Sequence, residues 1–319
     1  MKLGGNEKRH ECVEFLLLDL FSMMSVTCAI EPLRAANRLL GFEAYSWRFS
    51  SEDGSAAHAS NGISVNVDER FGTSDAPEYL FVCAGMTFLA KDQTRLNVML
   101  KRRAREGCHM GALSMGTVFL ARAGLLTDAR CTLHWEGQPA FREEFPFIEL
   151  SNQLYVIDRN RYTCAGGAAS LDMILHIITQ AHGAVLARSI ANQFQVERIR
   201  TGNVEQRSGS SVRLVTLPPE LGQTVGLMMR NLEKPLSTSS IARTFGLSVR
   251  KLERLFQRHT GYPPARYYKI LRLEHARDLL LHTSLANIDI AIATGFCSSS
   301  YFSASYAEHF GHTPSQERQ

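Results

Sequence analysis

The chain lacks any continuous apolar run of the ~18 residues that a membrane-spanning helix needs, and its opening text, MKLGGNEKRHECVEF, is polar where a secretory leader would be apolar. A cytoplasmic protein without membrane contact is expected. Cysteine is sparse and unpatterned: Cys12, Cys28, Cys83, Cys108, Cys131, Cys164 and Cys297 are an odd number, with no CxxC among them. That spacing excludes the usual zinc frames and argues for reduced thiols, so no metal and no cofactor is expected. A charge of one sign is missing from most of the chain as well. Residues 231–319 hold 11 Lys/Arg against 7 Asp/Glu, a balance of +4 equal to that of the whole chain, so everything before residue 231 is neutral on balance. The basic excess sits in one segment, as expected where a chain meets phosphates.

What is present divides in two. The first part alternates short apolar runs with helical periods, the pattern of a mainly parallel sheet covered by helices. Residues 14–18, 45–50, 63–67, 79–83 and 109–113 read as strands, and 154–158 with 161–164 as a strand pair around Arg159-Asn160. Ile30, Leu33, Ala36, Asn37 and Leu40 give a helix stopped at Gly41. A second helix over 96–104 carries Lys101, Arg102, Arg103 and Arg105 as a solvated face. The strand at 109–113 runs into Ser114-Met115-Gly116 and a helix over 117–123, the geometry of a nucleophile elbow. The small-residue run Ala165-Gly166-Gly167-Ala168-Ala169-Ser170 opens a further helix over 171–182, with Asp172 charging its first turn. TGNVEQRSGSS, from Thr201, is polar and Gly/Ser-rich like an exposed linker. The expected organisation is an α/β domain over 10–200, a linker over 201–218 and an all-α domain over 219–319.

The all-α part contains an internal repeat. Ile241-Ala242 with Gly246-Leu247 recurs as Ile290-Ala291 with Gly295-Phe296. One residue further out of step, Leu252, Phe256, Gly261 and Pro264 recur as Phe302, Tyr306, Gly311 and Pro314. Each copy reads as a helix, a turn at glycine and a second helix, a helix-turn-helix unit. Ser248 is placed to cap the second helix of the first copy, leaving Val249, Arg250, Lys251, Glu253 and Arg254 outward, with Arg258 beyond them. Arginine forks onto guanine in the major groove, and lysine or arginine holds phosphate. The corresponding helix of the second copy offers Ser298, Ser299, Ser300, Ser303 and Ser305, so sequence discrimination is expected to rest on the first.

On LSVRKLERLFQRHTGYPPARYYKILRLEHARDLLL and IDIAIATGFCSSSYFSASYAEHFGHTP, residues 220–316 resemble the AraC/XylS regulators. On AIEPLRAANRLLG, ALSMGTVFLARAGLL, CTLHWE and AGGAASLDMIL, residues 10–190 resemble the DJ-1/PfpI branch of the class I glutamine amidotransferase-like fold, a flavodoxin-like sheet with helices on both faces. The combination is similar to the GlxA-type regulators. The resemblance implies a DNA-binding transcription regulator, commonly an activator, that works with RNA polymerase on double-stranded promoter DNA as a homodimer. Its first domain would bind a metabolite of the arginine, carnitine or glycine betaine class without catalysis, against Ser114, Met115, His134, Trp135 and Glu31. Catalytic relatives carry cysteine at the elbow; here it is Ser114, with Cys108 six residues earlier and His134 matching the family's histidine. A serine-variant hydrolase or amidotransferase fused to a DNA-binding domain is the alternative, and a first domain that only dimerises is a third.

Overall fold

The computed structural model describes residues 10–86, 93–206, 217–283 and 285–318, and the chain separates into two compact units, 1–206 and 207–319. In the first unit the main strands are β1 (Glu11–Leu17), β2 (Tyr45–Ser51), β5 (Glu69–Arg70), β6 (Tyr79–Ala84), β7 (His109–Ser114), β8 (Tyr155–Asp158) and β9 (Arg161–Cys164), of which β1, β6 and β7 are mostly buried. They make one sheet of order β5-β2-β1-β6-β7-β9-β8, parallel except where β8 meets β9. Expected strand 63–67 shortens to β4 (Ser64–Val65), which pairs only with β3 (Ala57–His58) outside that sheet.

Helices cover both faces, since each face is apolar. On one, α1 (Met23–Leu40), α5 (Ala168–His182) and α6 (Ala184–Gln193) bury Ala29, Leu33, Met173, Ile177 and Ile190 against Phe15 and Phe81. On the other, α2 (Thr94–Arg105), α3 (Gly116–Arg122) and α4 (Gln138–Glu144) bury Leu96, Leu100, Leu120 and Phe141 against Leu16, Val82 and Met110. The basic face of α2 needs a correction at one residue. Arg103 is only 3% exposed, because its guanidinium donates to the Ser74 carbonyl at 2.7 Å and to Glu106 at 3.0 Å. A second correction concerns residues 201–206: their composition is that of a linker, yet Leu154 N–H donates to Val204 O, Glu205 bridges Gln153, and Gln206 N–H donates to Asn152 O. They belong to the first unit.

The second unit has α7 (Pro219–Met229), α8 (Thr238–Thr244), α9 (Val249–Thr260), α10 (Pro264–His282), α11 (Asn287–Ala293), α12 (Ser299–Phe310) and α13 (Pro314–Glu317). The repeat becomes two small cores. Ile241, Leu252 and Phe256 pack with Tyr268 and Leu271 of α10, while Ile290, Phe302 and Tyr306 pack with Leu273, Ala276 and Leu280 of the same helix. The chain end is held by Glu317. Burial raises its pKa, but bonds from His312, Tyr306 (2.8 Å) and Arg277 (2.9 Å) outweigh this and leave the carboxyl below its ordinary value. A depressed carboxyl contributes stability above its unfolded pKa and loses it on acidification. Glu317→Gln is therefore expected to lower the second unit's melting midpoint at pH 7 by about 2–5 °C. The gap should close as pH falls below ~4; a gap that persists there in thermal scans sinks the assignment.

Candidate sensor crevice and nucleic-acid interface

In the first unit, the carboxyl ends of β1, β6, β7 and β9 lie on one edge of the sheet, where open α/β folds place ligands. Ser114 ends β7 with φ +58°, a left-handed conformation that a non-glycine residue holds only under strain, and α3 starts two residues later. The expected elbow is therefore present. Gly166, just past β9, closes on it: a Cβ there would lie 2.6 Å from Ser114 Cβ and 2.8 Å from Ser25 Oγ. Gly167 N–H donates to Ser25 Oγ at 2.7 Å, and the Met24 sulfur is near. Two other chain segments, Met24–Ser25 and Gly166–Gly167, thus converge near Ser114. Ser25, Gly166 and Gly167 are the members that sequence reasoning did not single out for this site.

Of the other expected residues, His134 and Trp135 stand side by side, half-buried, with ring centroids 5.7 Å apart. His134 caps a short 3-10 turn, Trp135–Gly137, and its Nδ1 accepts from Glu136 N–H at 3.4 Å. Met115 is wholly buried, its thioether against Gly137, so it joins the elbow to that turn from beneath. Glu31 is not drawn in with them; its carboxylate is taken by Arg34 of the same helix at 2.6 Å. Burial pushes the Cys108 thiol up to about 11, Arg103 pulling weakly the other way, and the Cys131 thiol up to about 12. Cys28, Cys83 and Cys164 are raised by burial too.

In the second unit, Ser248 caps α9 by accepting from Lys251 N–H at 3.2 Å. The helix buries Leu252 and Phe256 and leaves Val249, Arg250, Lys251, Glu253, Arg254 and Arg258 exposed. Arg250, Glu253, Arg254 and Arg258 line an open groove together with Gln257 and Pro263. Gln257, an amide suited to reading adenine, escaped the sequence reading. Ser298 caps α12 in the same way, accepting from Tyr301 N–H at 3.2 Å; Ser300 is exposed, and Ser299 and Ser303 are half-buried. Ser305 is corrected. It is 3% exposed, three residues past Phe302 and beside Tyr306 on the core face, and cannot reach DNA. Tyr301, 50% exposed, is the outward side chain found instead.

The turn of the second copy is locked in place. Arg272 of α10 donates to Thr294 O and Gly295 O, both at 2.7 Å, and lies 4.2 Å over the Phe296 ring. Two helix-turn-helix units on one shared helix, carried by a chain whose other unit is a doubly wound sheet, define a DNA-binding transcription regulator. Residues 12–180 match the DJ-1/PfpI family, and residues 241–319 match a helix-turn-helix domain family. The chain is 43% identical to the HTH-type transcriptional regulator GbdR of Pseudomonas aeruginosa over 97% of its own length and 84% of that protein's. It is 34% identical to the HTH-type transcriptional regulator GlxA of Rhizobium meliloti over 100% of its length and 98% of that protein's. A crystal structure of an AraC family transcriptional regulator from Pseudomonas putida aligns with a TM-score of 0.53 at 28% identity, covering 58% of this chain and 99% of that one. The chain belongs to the AraC-type helix-turn-helix transcriptional regulators that carry an N-terminal DJ-1/PfpI domain, the group that includes GlxA.

Proposed function

We propose that this regulator is a metabolite-responsive activator whose first unit binds its effector at the Ser114 elbow without catalysis. The observation that carries the reading is the elbow itself: a strained Ser114 stands where catalytic relatives carry cysteine, close against Gly166 beside Ser25. A serine nucleophile needs a histidine whose Nε2 is free to take its proton. The bond from Glu136 N–H to His134 Nδ1 favours the tautomer with its proton on Nε2, which opposes that role. The Cys108 and Cys164 thiols, raised by burial, are poor candidates for an activated cysteine in its place. The hydroxyls of Ser25 and Ser114 suit a carboxylate, and the half-buried Trp135 ring suits a cationic head group. These fit a zwitterion of the arginine, carnitine or glycine betaine class.

In this reading the protein is cytoplasmic and acts as a homodimer on promoter DNA, recruiting RNA polymerase. Among the described residues no helix is long and apolar enough to cross a membrane. Paired copies raise the effective concentration of reader helices on paired half-sites. Effector acts by favouring one arrangement of the chain over another. A Ser114→Ala variant separates sensing from catalysis. Effector affinity should fall with the lost hydroxyl, but reporter output at saturating effector should match wild type within about twofold, whereas losing a nucleophile would remove at least ~10³-fold of any turnover. Loss of induction with effector still bound would overturn the non-catalytic reading. The effector class is tested by thermal shifts of the full chain against glycine betaine, carnitine and arginine.

A further inference from the structure

The end of the first unit is fastened to the wall of the candidate crevice. After α6 the chain runs back along the sheet, and Arg200 is fixed first: its N–H and Nε donate to buried Asp172 at 2.8 Å each, with Nη2 at 2.6 Å. The chain reaches Gln206, which is 5% exposed although it stands in polar, linker-like text. Its Nε2 lies 2.8 Å from Leu133 O, 3.0 Å from Thr132 Oγ1 and 3.0 Å from Gln153 O. Three oxygens around that atom fix the amide orientation, since a carbonyl there would face only acceptors.

The seat is a junction. The Thr132 carbonyl accepts from Thr117 Oγ1 of α3 at 2.8 Å, and Thr132 N–H donates to Thr163 Oγ1 of β9 at 3.0 Å. The next residue after Leu133 is His134, beside Trp135. The elbow helix, β9 and the His134–Trp135 turn therefore all meet the Thr132–Leu133 stretch, whose Thr132 hydroxyl and Leu133 carbonyl Gln206 holds. The hold is incomplete: Nε2 has two hydrogens for three acceptors, and Gln206 Oε1 is buried without a hydrogen-bond partner among the described residues. An unpaired buried carbonyl carries a desolvation cost, which offsets part of what the Nε2 bonds contribute to the hold.

We infer that Gln206 is the positioning residue that couples the crevice to the DNA-binding unit: occupancy at His134–Trp135 moves the adjoining Leu133 carbonyl and Thr132 hydroxyl and so changes the hold on the segment leading out of the first unit. This rests on the sensing reading above. Gln206 touches no effector; it acts through Leu133 and Thr132.

The test uses the full chain with Gln206→Met, which keeps length and removes the donor, and Gln206→Glu, which keeps shape and replaces donor by acceptor. Leu133 O and Gln153 O retain other donors in Gln138 and Thr132, so the fold should survive. Glycine betaine, carnitine and arginine are the probes. Affinity for the active probe is expected to stay within about threefold of wild type, while the reporter ratio with and without it falls toward one, a split that a merely structural role would not produce. Folded variants that bind and induce like wild type overturn the coupling and leave sensing intact. If no probe shifts or induces the wild-type chain, the effector class proposed above is wrong. Amide exchange without ligand then tests the hold on which the coupling depends: Gln206→Met must speed exchange at Leu154 and Gln206 by about tenfold or more, and equal rates overturn the inference.

Discussion

Gly295→Val is expected to destabilise the second unit by on the order of 3–5 kcal/mol and to abolish high-affinity operator binding. Gly295 has φ +72°, and a Cβ there would lie 2.5 Å from Leu232 O, 2.7 Å from Glu233 O and 2.8 Å from Pro235 Cδ. Those neighbours are backbone and a ring, which cannot swing aside as a flexible side chain can. A β-branched residue in the left-handed region adds strain of about 1–2 kcal/mol. Relieving the clash would lift the turn away from residues 232–235 and break the Arg272 bonds to Thr294 O and Gly295 O. The repeat supplies the control. Gly246, the equivalent glycine of the first copy, has φ +63° but nothing within 4 Å of its would-be Cβ, so Gly246→Val should incur the backbone strain alone. Thermal denaturation of both variants decides the matter: equal losses would show that the contact with residues 232–235 carries no weight.

Arg254→Ala and Arg250→Ala should each weaken specific operator binding by about 1–3 kcal/mol, roughly 5- to 150-fold. Both residues line the same open groove on the exposed side of α9, whose register is set by Leu252 and Phe256 in the core. Ser248 holds the start of that helix, so neither arginine is needed for the fold and the loss should appear in binding alone. Lys251→Ala should act differently, weakening all sequences alike and flattening the salt dependence by about one ion. On α12, Ser300→Ala should change little, because it removes one neutral hydroxyl from a helix that carries no Lys or Arg. The assay is a gel shift on operators selected from a random pool. Full affinity in both arginine variants would remove α9 as the main reader.

The helix-turn-helix copies were legible because burial repeats with the sequence: Leu252 and Phe302, and Phe256 and Tyr306, are all fully buried. What the repeat conceals is its inequality, since Gly246 and Gly295 are the same letter in open and in crowded space. Ser305 was misplaced because a run of serines carries no amphipathic signal; the phase of the helix is given only by Phe302 and Tyr306. The elbow could be read from a strand running into Ser114-Met115-Gly116, a local pattern. Its surroundings could not, because Ser25 and Gly167 are 142 residues apart in the chain and meet only in the folded sheet. Arg103 and Gln206 share one cause of error. Composition predicts exposure for both, and specific carbonyl acceptors, Ser74 O for one and Leu133 O with Gln153 O for the other, bury them.

The helix α10 gives one face to each core, through Tyr268 and Leu271 on one side and Leu273, Ala276 and Leu280 on the other. The two reading heads are therefore spaced by one shared helix. The pair works as a caliper with a fixed opening. A promoter can drift under it one base at a time, each substitution costing a step of affinity, but a single inserted or deleted base pair between the two contacted segments turns the second out of phase by about a tenth of a helical turn. Target sites for this protein should thus diversify in letters while holding their length constant.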